Sequence, residues 1–448
     1  MKSETIIIRK GLDLPIGGVA EKRVTDKPDI AEYAVKPVDF VGLTPRLLAA
    51  EGDKVAVGDA LFCDKNDERV RFTSPVSGTV KSVVRGEKRR ILEVVVESDG
   101  KSELSENPKF ADNTEDLKKM MLQCGLWTML RQRPFGTVAN PDDEPKAIFV
   151  SAFSSAPLGS DYDIVMQGRE EFLGKGLEAL TKLTKGKVHI CFRPNQKLAE
   201  KLKTPNSKLQ THFVKGPHPA GNVGTQINRI DPINKGEVVW TMNIQDVAAL
   251  GELMSTGVYN PEKIIAVAGP NAETPQYYKV KAGAQLDFVK IKEHSRVISG
   301  DVLSGTKIAP DGFLGAYDDL VSVIPEGDHY DFMGWLMPGF KKYSFSRTFL
   351  SGFMPKLMNW RFDTNTHGDQ RPLVFTGDFE RVFPFDIYPT QLIKACVIGD
   401  IELMENLGIY EVEPEDFALC EFIDVSKTDI QQIIRDALEN LRKEGLDG

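Results

Sequence analysis

Between Ala147 and Phe192 the chain places a strand-like apolar run, an amphipathic helix and a second apolar run, an order that leaves few folds open. The first run is Ala147-Ile148-Phe149-Val150-Ser151-Ala152-Phe153. The stretch Gly168–Leu183 then carries Phe172, Leu173, Gly176, Leu177, Leu180 and Leu183 at helical spacing. Gly186 stops it, and Val188-His189-Ile190-Cys191-Phe192 follows. Strand, helix, strand predicts parallel strands joined by a crossover, the unit of an α/β layer fold. We assign residues 101–236 to this Rossmann-like domain. Within it, 101–118 reads as a polar linker, and 119–131 as a helix ended by Pro134-Phe135-Gly136.

Other patterns flank this domain. Residues 36–100 hold short apolar runs separated by Gly and Asp turns such as Glu51-Gly52-Asp53 and Val57-Gly58-Asp59, the spacing of a small all-β module. Two of its phrases, Ala49–Val55 and Ser74–Val80, resemble the half-barrels that carry biotin or lipoyl groups. Lys65 stands in the intervening Asp64-Lys65-Asn66-Asp67 turn, where those carriers place their modified lysine. Since this module is often reused for packing, Lys65 is read as an ordinary turn lysine. Residues 1–35 are expected to pack on the core. Residues 237–329 alternate strand and helix signals and predict a small α+β domain. From 379 onward the pattern is helical: one helix at 389–406, with Pro389 in its first turn, and one at Ser426–Lys443, capped by Ser426 with Asp429 or Thr428 with Gln431.

Charge and cysteine spacing limit the chemistry. Fifty-six Lys and Arg against 65 Asp and Glu leave a net charge of -9, a poor match for nucleic acid. The densest basic spot near the N-terminus, Lys88-Arg89-Arg90, reads as a charged turn. Cys63, Cys124, Cys191, Cys396 and Cys420 are too scattered for a zinc or iron–sulfur site, and predict reduced thiols in the cytosol. His212 and His218, near the glycine-rich loop 216–226, lack a third ligand, so that loop reads as a rigid or partner-facing element. No G-x-G-x-x-G or G-x-x-x-x-G-K-[ST] follows a strand, and the loop Ser154–Ser160 reads as a satisfied crossover. Ile6-Ile7-Ile8 followed by Arg9-Lys10 is not an export signal, and no 18-residue apolar window spans a membrane.

One segment departs from the rest. Residues 330–362 hold ten aromatics, including Trp335, Phe340, Tyr343 and Phe345, in a chain that is 8% aromatic overall. Methionines and the cations Lys341, Lys342 and Arg347 are interleaved. That mixture anchors protein interfaces and suits membrane surfaces. A buried domain joint is the other reading, and no single period decides between them.

Several phrases occur together in a characteristic order. They include Gly11-Leu12-Asp13-Leu14-Pro15-Ile16, Phe72-Thr73-Ser74-Pro75-Val76-Ser77-Gly78, Gly125-Leu126-Trp127 with Arg131-Gln132-Arg133-Pro134-Phe135, and His218–Thr225. Asn243–Val247 and Glu380-Arg381-Val382-Phe383-Pro384 with Tyr388-Pro389-Thr390 continue the series. The chain resembles, nearly end to end, the NqrA family of the bacterial sodium-translocating NADH:quinone oxidoreductase. That resemblance implies an α/β multidomain chain. It would comprise a barrel-sandwich hybrid (biotinyl/lipoyl-like) module at 36–100, the Rossmann-like domain at 101–236 and a small β-grasp-like (SLBB-type) domain at 237–329. An aromatic-rich interface segment at 330–378 and a mainly helical C-terminal region at 379–448 would complete it. It also implies a peripheral protein on the cytoplasmic face of the inner membrane, docked on the membrane partner NqrB and working with NqrC, NqrD, NqrE and NqrF. The chain itself would hold no tightly bound cofactor, flavins and iron–sulfur centres being expected in partner subunits only. Quinone is a second expected contact, with Trp335, Phe340, Tyr343 and Phe345 as walls and Lys341 or Arg347 as donors. The alternative is a flavin- or nucleotide-binding soluble protein akin to RnfC or the flavoprotein subunit of complex I. Against it, the stretch Trp127–Gly136 is bulky and basic where those relatives are glycine-rich, and Ser154-Ser155-Ala156-Pro157 stands where they are acidic. The family's usual Leu-Cys-x-Phe-Val-Cys-Pro-x-Lys reads here Leu419-Cys420-Glu421-Phe422-Ile423-Asp424-Val425-Ser426-Lys427, without the second cysteine.

Overall fold

The structure, a computed structural model, describes residues 5–447 apart from 27, 106–112, 203–205, 330, 331, 335, 341, 354–359, 361 and 375. Its central layer is a seven-stranded sheet in the order Thr5–Ile7, Leu209–Lys215, Lys187–Phe192, Ala147–Ser151, Val239–Thr241, Arg131–Arg133 and Thr137–Val138. The first five strands are parallel, the sixth runs against the fifth and the seventh against the sixth. Alternation along Ala147–Ser151 sorts its side chains to two faces. Ile148 and Val150 pack with Leu173, Leu177 and Leu250 of the helices Glu170–Leu180 and Ile244–Thr256, whereas Ala147 and Phe149 pack with Ile227 of the helix Val223–Ile230. The sheet is thus covered on both sides, as its near-continuous apolar strands require.

The two helices on the first face touch backbone to backbone. A Cβ on Gly251 would lie 1.8 Å from the Phe172 carbonyl oxygen, and one on Gly176 would lie 1.9 Å from that of Val247.

The strand Val239–Thr241 and the helix after it, expected in the third domain, belong to this sheet, so the second domain runs beyond the 236/237 boundary. The N-terminal segment does more than pack on the core. Thr5–Ile7 is an edge strand of the seven-stranded sheet, Glu21–Thr25 an edge of the third domain's sheet, and Glu32–Val35 part of the half-barrel. The expected linker ends in a helix, Thr114–Gln123, whose N-cap Asn113 accepts a hydrogen bond from the Asp116 N–H. Gly125, at φ +80°, turns the chain out of that helix into a short 3₁₀ turn, Leu126–Met129, so the helix does not continue to 131.

The half-barrel consists of a four-stranded sheet, Glu32–Val35, Ile91–Ser98, Gly78–Arg85 and Lys54–Val55, facing a three-stranded one, Pro45–Leu47, Ala60–Asp64 and Arg71–Thr73. Phe62 stacks on Phe72 at 4.8 Å between ring centres, and Phe40 meets Phe72 edge-on at 4.5 Å. Lys65 is exposed in a turn whose backbone N–H groups are taken by the Thr44 carbonyl and by the Asp64 and Asp67 carboxylates. The third domain is built on a six-stranded sheet ordered Thr306–Ile308, Ser295–Ser299, Leu320–Pro325, Glu262–Ala268, Gln276–Lys281 and Glu21–Thr25.

In the C-terminal region, Pro389 opens the helix Pro389–Ile398 as expected. Gly399 at φ +71° then ends it, and Asp400 caps a second helix, Ile401–Asn406, so the single helix expected at 389–406 is two. The last helix begins at Ile430, four residues later than expected. Asp424, where the family pattern has a cysteine, is buried and accepts the N–H groups of Ser426 and Thr428, which holds that stretch out of the helix. The first turn's N–H groups go instead to Glu421, from Gln431, and Asp429, from Gln432.

A buried charge cluster joins this region to the second domain. Arg133 meets Asp416 at 3.2 Å, Glu413 at 3.4 Å and Glu415, while Arg131 meets Glu413 at 2.9 Å. Arg435 adds a hydrogen bond to the Phe135 carbonyl at 3.1 Å. The guanidinium groups hold the Glu413 carboxyl below the usual range despite its burial.

Candidate functional site

In an open parallel sheet the natural ligand crevice lies beyond the carboxyl ends of the strands, where the strand order reverses. Here that point is between Ala147–Ser151 and Val239–Thr241. The loop after Ser151 is taken up by the chain itself. The Tyr162 hydroxyl donates to the Asp319 carboxylate at 2.7 Å, Ser160 Oγ donates to the Asp319 carbonyl at 3.0 Å, and the Asp161 N–H donates to the Tyr277 hydroxyl at 2.9 Å. Burial pushes both the Tyr162 hydroxyl and the Asp319 carboxyl up. On the other side, Ser155 Oγ accepts the Gly221 N–H at 2.7 Å, and a Cβ on Gly221 would come within 2.5 Å of the Ser155 nitrogen. Arg193 lies 5.2 Å over the Phe153 ring and donates to the Ser154 carbonyl. Ser154–Ser160 is the satisfied crossover that its composition predicts, and third-domain groups occupy the switch point.

The two histidines flagged in the sequence have separate partners. His212 Nε2 and His189 Nδ1 share a hydrogen bond at 2.9 Å, with the His189 ring stacked on Phe149. His218 Nδ1 pairs with Ser155 Oγ at 3.2 Å, and the His218 N–H donates to Asp13 at 2.8 Å. Among the described residues no three His, Cys, Asp or Glu side chains form a metal-binding group. All five cysteines are free, and burial pushes the thiols of Cys124 and Cys396 up to about 12.

The aromatic segment divides into two parts. Tyr343 packs edge-on against Trp360 at 5.4 Å and against Phe362 and Phe422 at 5.2 and 6.0 Å, a joint with the helical region. Phe345 lies 4.5 Å beneath the Arg381 guanidinium of the same region. Phe332, Phe340 and Phe353, by contrast, are 91%, 65% and 79% exposed, and Leu336, Met337 and Leu350 are exposed with them. Arg347 is exposed at φ 56°. The expected set therefore separates: Tyr343 and Phe345 face the helical region, whereas Phe340 and Arg347 face solvent. Trp335 and Lys341 lie outside the described residues. The joint reading holds for Tyr343 and Phe345, and Phe422 was the partner that no local pattern could supply.

Glu326 helps tie this segment to the third domain. Glu326 pairs with Arg296 and accepts a hydrogen bond from Thr364 Oγ1 at 2.7 Å, and these groups lower its carboxyl to about 2. A carboxyl lowered in the folded state stabilises it above the unfolded value and loses that contribution as pH falls through the folded one. Amide exchange at Gly327 and 362–366 should therefore rise as the pH drops from about 4.5 toward 2, after correction for intrinsic rates. Glu326→Gln should show the raised exchange already at neutral pH. Equal protection in the variant and the parent at neutral pH would show that Glu326 is not the tether.

Comparison with known proteins places these features. The family model for the NqrA N-terminal barrel-sandwich hybrid domain matches residues 6–99, that for the NqrA second alpha/beta domain residues 112–259, and that for the NQRA C-terminal domain residues 264–309. The chain is 38% identical to the A subunit of the Na(+)-translocating NADH-quinone reductase of Yersinia pestis, covering 98% of this chain and 100% of that one. Against the corresponding protein of Rhodopirellula baltica it is 39% identical, with 98% of each covered. Among solved structures it is similar to the NAD+-reducing [NiFe]-hydrogenase in the H2-reduced state, at 12% identity and a TM-score of 0.39, over 74% of this chain and 61% of that one.

Proposed function

This chain belongs to the NqrA family, and from that premise we propose that it is the peripheral A subunit of a Na+-translocating NADH:quinone reductase, attached by docking rather than by insertion. The observation that carries the assignment is similarity along the whole length, which covers all the domains rather than one reused module. No helix among the described residues is long and apolar enough to cross a membrane. The attachment then falls to a surface, and the exposed rings Phe332, Phe340 and Phe353 are the anchors we assign to the membrane partner NqrB. NqrC, NqrD, NqrE and NqrF complete the assembly.

The redox groups belong to the partner subunits, and the lone chain does not oxidise NADH. The Tyr162–Asp319 closure of the switch point and the scattered thiols support this reading over a flavin- or nucleotide-binding one. Five free cysteines also suit a reducing compartment, so the docked face is the cytoplasmic one. The exposure of Phe340, set against the packing of half-buried Tyr343 on Trp360, favours partner docking over a quinone slot for this segment.

The test uses membranes from cells lacking this chain, to which purified protein is added. Parent protein should restore Na+-dependent NADH:quinone activity and co-purify with the complex. Replacing Phe332, Phe340 and Phe353 together by Ala should abolish co-purification, at about 2 kcal/mol for each central anchor. The free variant should melt with the parent, since its rings are solvent-exposed. Co-purification at parental yield would remove these rings from the interface, and failure of the parent to restore activity would remove the assignment itself.

A further inference from the structure

The longest hairpin of the half-barrel, Gly78–Arg85 with Ile91–Ser98, ends in a tip that the docking role leaves unexplained. Arg85, Lys88, Arg89 and Arg90 are all exposed there, with Glu87 the sole acid between them. Among the described residues no ion pair engages any of the four cations, and the hairpin's own ion pair, Lys81 with Glu32, sits at its base. The tip is not a loose loop. The Gly86 N–H donates to the Arg90 carbonyl at 2.9 Å, the Arg90 N–H to the Glu87 carbonyl at 3.1 Å, and Arg85 Nη1 to the Arg89 carbonyl at 3.2 Å. Lys88 and Arg89 hold φ of 53° and 61°, consecutive left-handed positions that hairpin turns normally fill with Asn or Gly. The turn accepts a backbone penalty and presents two long cations where small residues would sit more easily. In a chain of net charge -9, this concentrates positive charge on a narrow, rigid projection.

We propose that the hairpin tip Arg85–Arg90 is a contact for anionic lipid headgroups, touching the membrane that carries the partner subunits. The inference rests on the chain's being a subunit of a membrane complex. A projecting tip whose guanidinium and ammonium groups are matched by no ion pair among the described residues suits phosphate oxygens at a lipid surface. Each cation near such a surface strengthens binding by about fivefold, and salt screens the effect.

The experiment is co-sedimentation of the full chain with vesicles at low ionic strength. One set contains phosphatidylglycerol and phosphatidylcholine in equal parts, the other phosphatidylcholine alone. The parent should bind the first set selectively and come off as salt is raised. The double variant Lys88→Asn, Arg89→Gly removes two charges and suits the turn better, so it should bind about 25-fold more weakly without melting earlier. Lys88→Arg should bind like the parent. Equal binding by the double variant and the parent, equal binding to both vesicle sets, or no binding by the parent would overturn the proposal. So would a double variant that keeps vesicle binding but no longer co-purifies with the complex, which would assign the tip to an acidic protein face. The assignment to the reductase is read separately, by restoration of activity in depleted membranes, so the two can fail independently.

Discussion

Replacing Arg133 by alanine should loosen the C-terminal helical region from the second domain, at a cost of about 3–5 kcal/mol. Arg133 is 2% exposed and faces Glu413, Glu415 and Asp416, of which Glu413 and Asp416 are as deeply buried. Without it, Arg131 meets only Glu413 within ion-pair distance, and Arg435 acts on Glu413 from further off. The cost is that of leaving buried charge uncompensated, more than the worth of any one pair. The sign of its pH dependence follows. Burial already pushes the Asp416 carboxyl up to about 7 and the guanidinium groups hold Glu413 down; once Arg133 is gone both rise, so the variant is most penalised at high pH and partly relieved on acidification as these acids take up protons. Chemical denaturation at pH 8 and pH 5 measures both effects, and limited proteolysis should cut first after residue 378. A midpoint unchanged from the parent at pH 8 would mean that this cluster does not hold the two regions together.

The second large effect is expected at Gly251. Valine there would force apart the helices Glu170–Leu180 and Ile244–Thr256, because the space its Cβ needs is occupied by the Phe172 carbonyl oxygen at 1.8 Å and the Gly176 nitrogen at 2.7 Å. Both obstacles are backbone atoms, so no side chain can swing away, and overpacking of this kind costs about 3 kcal/mol. The small gain in helix propensity over glycine does not offset it. Gly236, with nothing near its Cβ position, is the control for a glycine substitution without crowding, although its φ of +86° makes Asn the suitable replacement. Stability of Gly251→Val within about 0.5 kcal/mol of the parent would show that the helices separate freely.

The parts of this fold that could be read from the residues are those whose pattern is local. Ile148 and Val150 alternate with Ala147 and Phe149 because the sheet has two covered faces, and Gly52 and Gly58 punctuate a half-barrel whose strands pair with near neighbours. Elements defined by distant partners were harder to read. Arg131-Gln132-Arg133 has no apolar alternation, and Arg133 is buried only because carboxylates 282 and 283 residues onward receive it. Val239–Thr241 shows the signature of a strand but not the sheet to which it belongs. The break at Gly399-Asp400 was masked by apolar residues on both sides of it. At the candidate site, the aromatic composition pointed to the segment, yet which rings turn inward depends on Phe422, and sequence spacing carries no record of that contact.

The early strand Thr5–Ile7 has a consequence for how the molecule is made. Its neighbour in the sheet is the stretch Phe213–Lys215, and Glu21–Thr25 pairs with the strand that starts at Gln276. A ribosome adding about 5–20 residues per second reaches the first of these partners about 10–40 s after the strand itself has been translated. The half-barrel has all its strands between Glu32 and Ser98, so it can close during that interval. Ile6, Ile7 and Ile8 cannot find their sheet. This strand is therefore made well before its place in the sheet exists, and the nascent chain carries it unpaired while the residues from Ile8 to Phe213 are added.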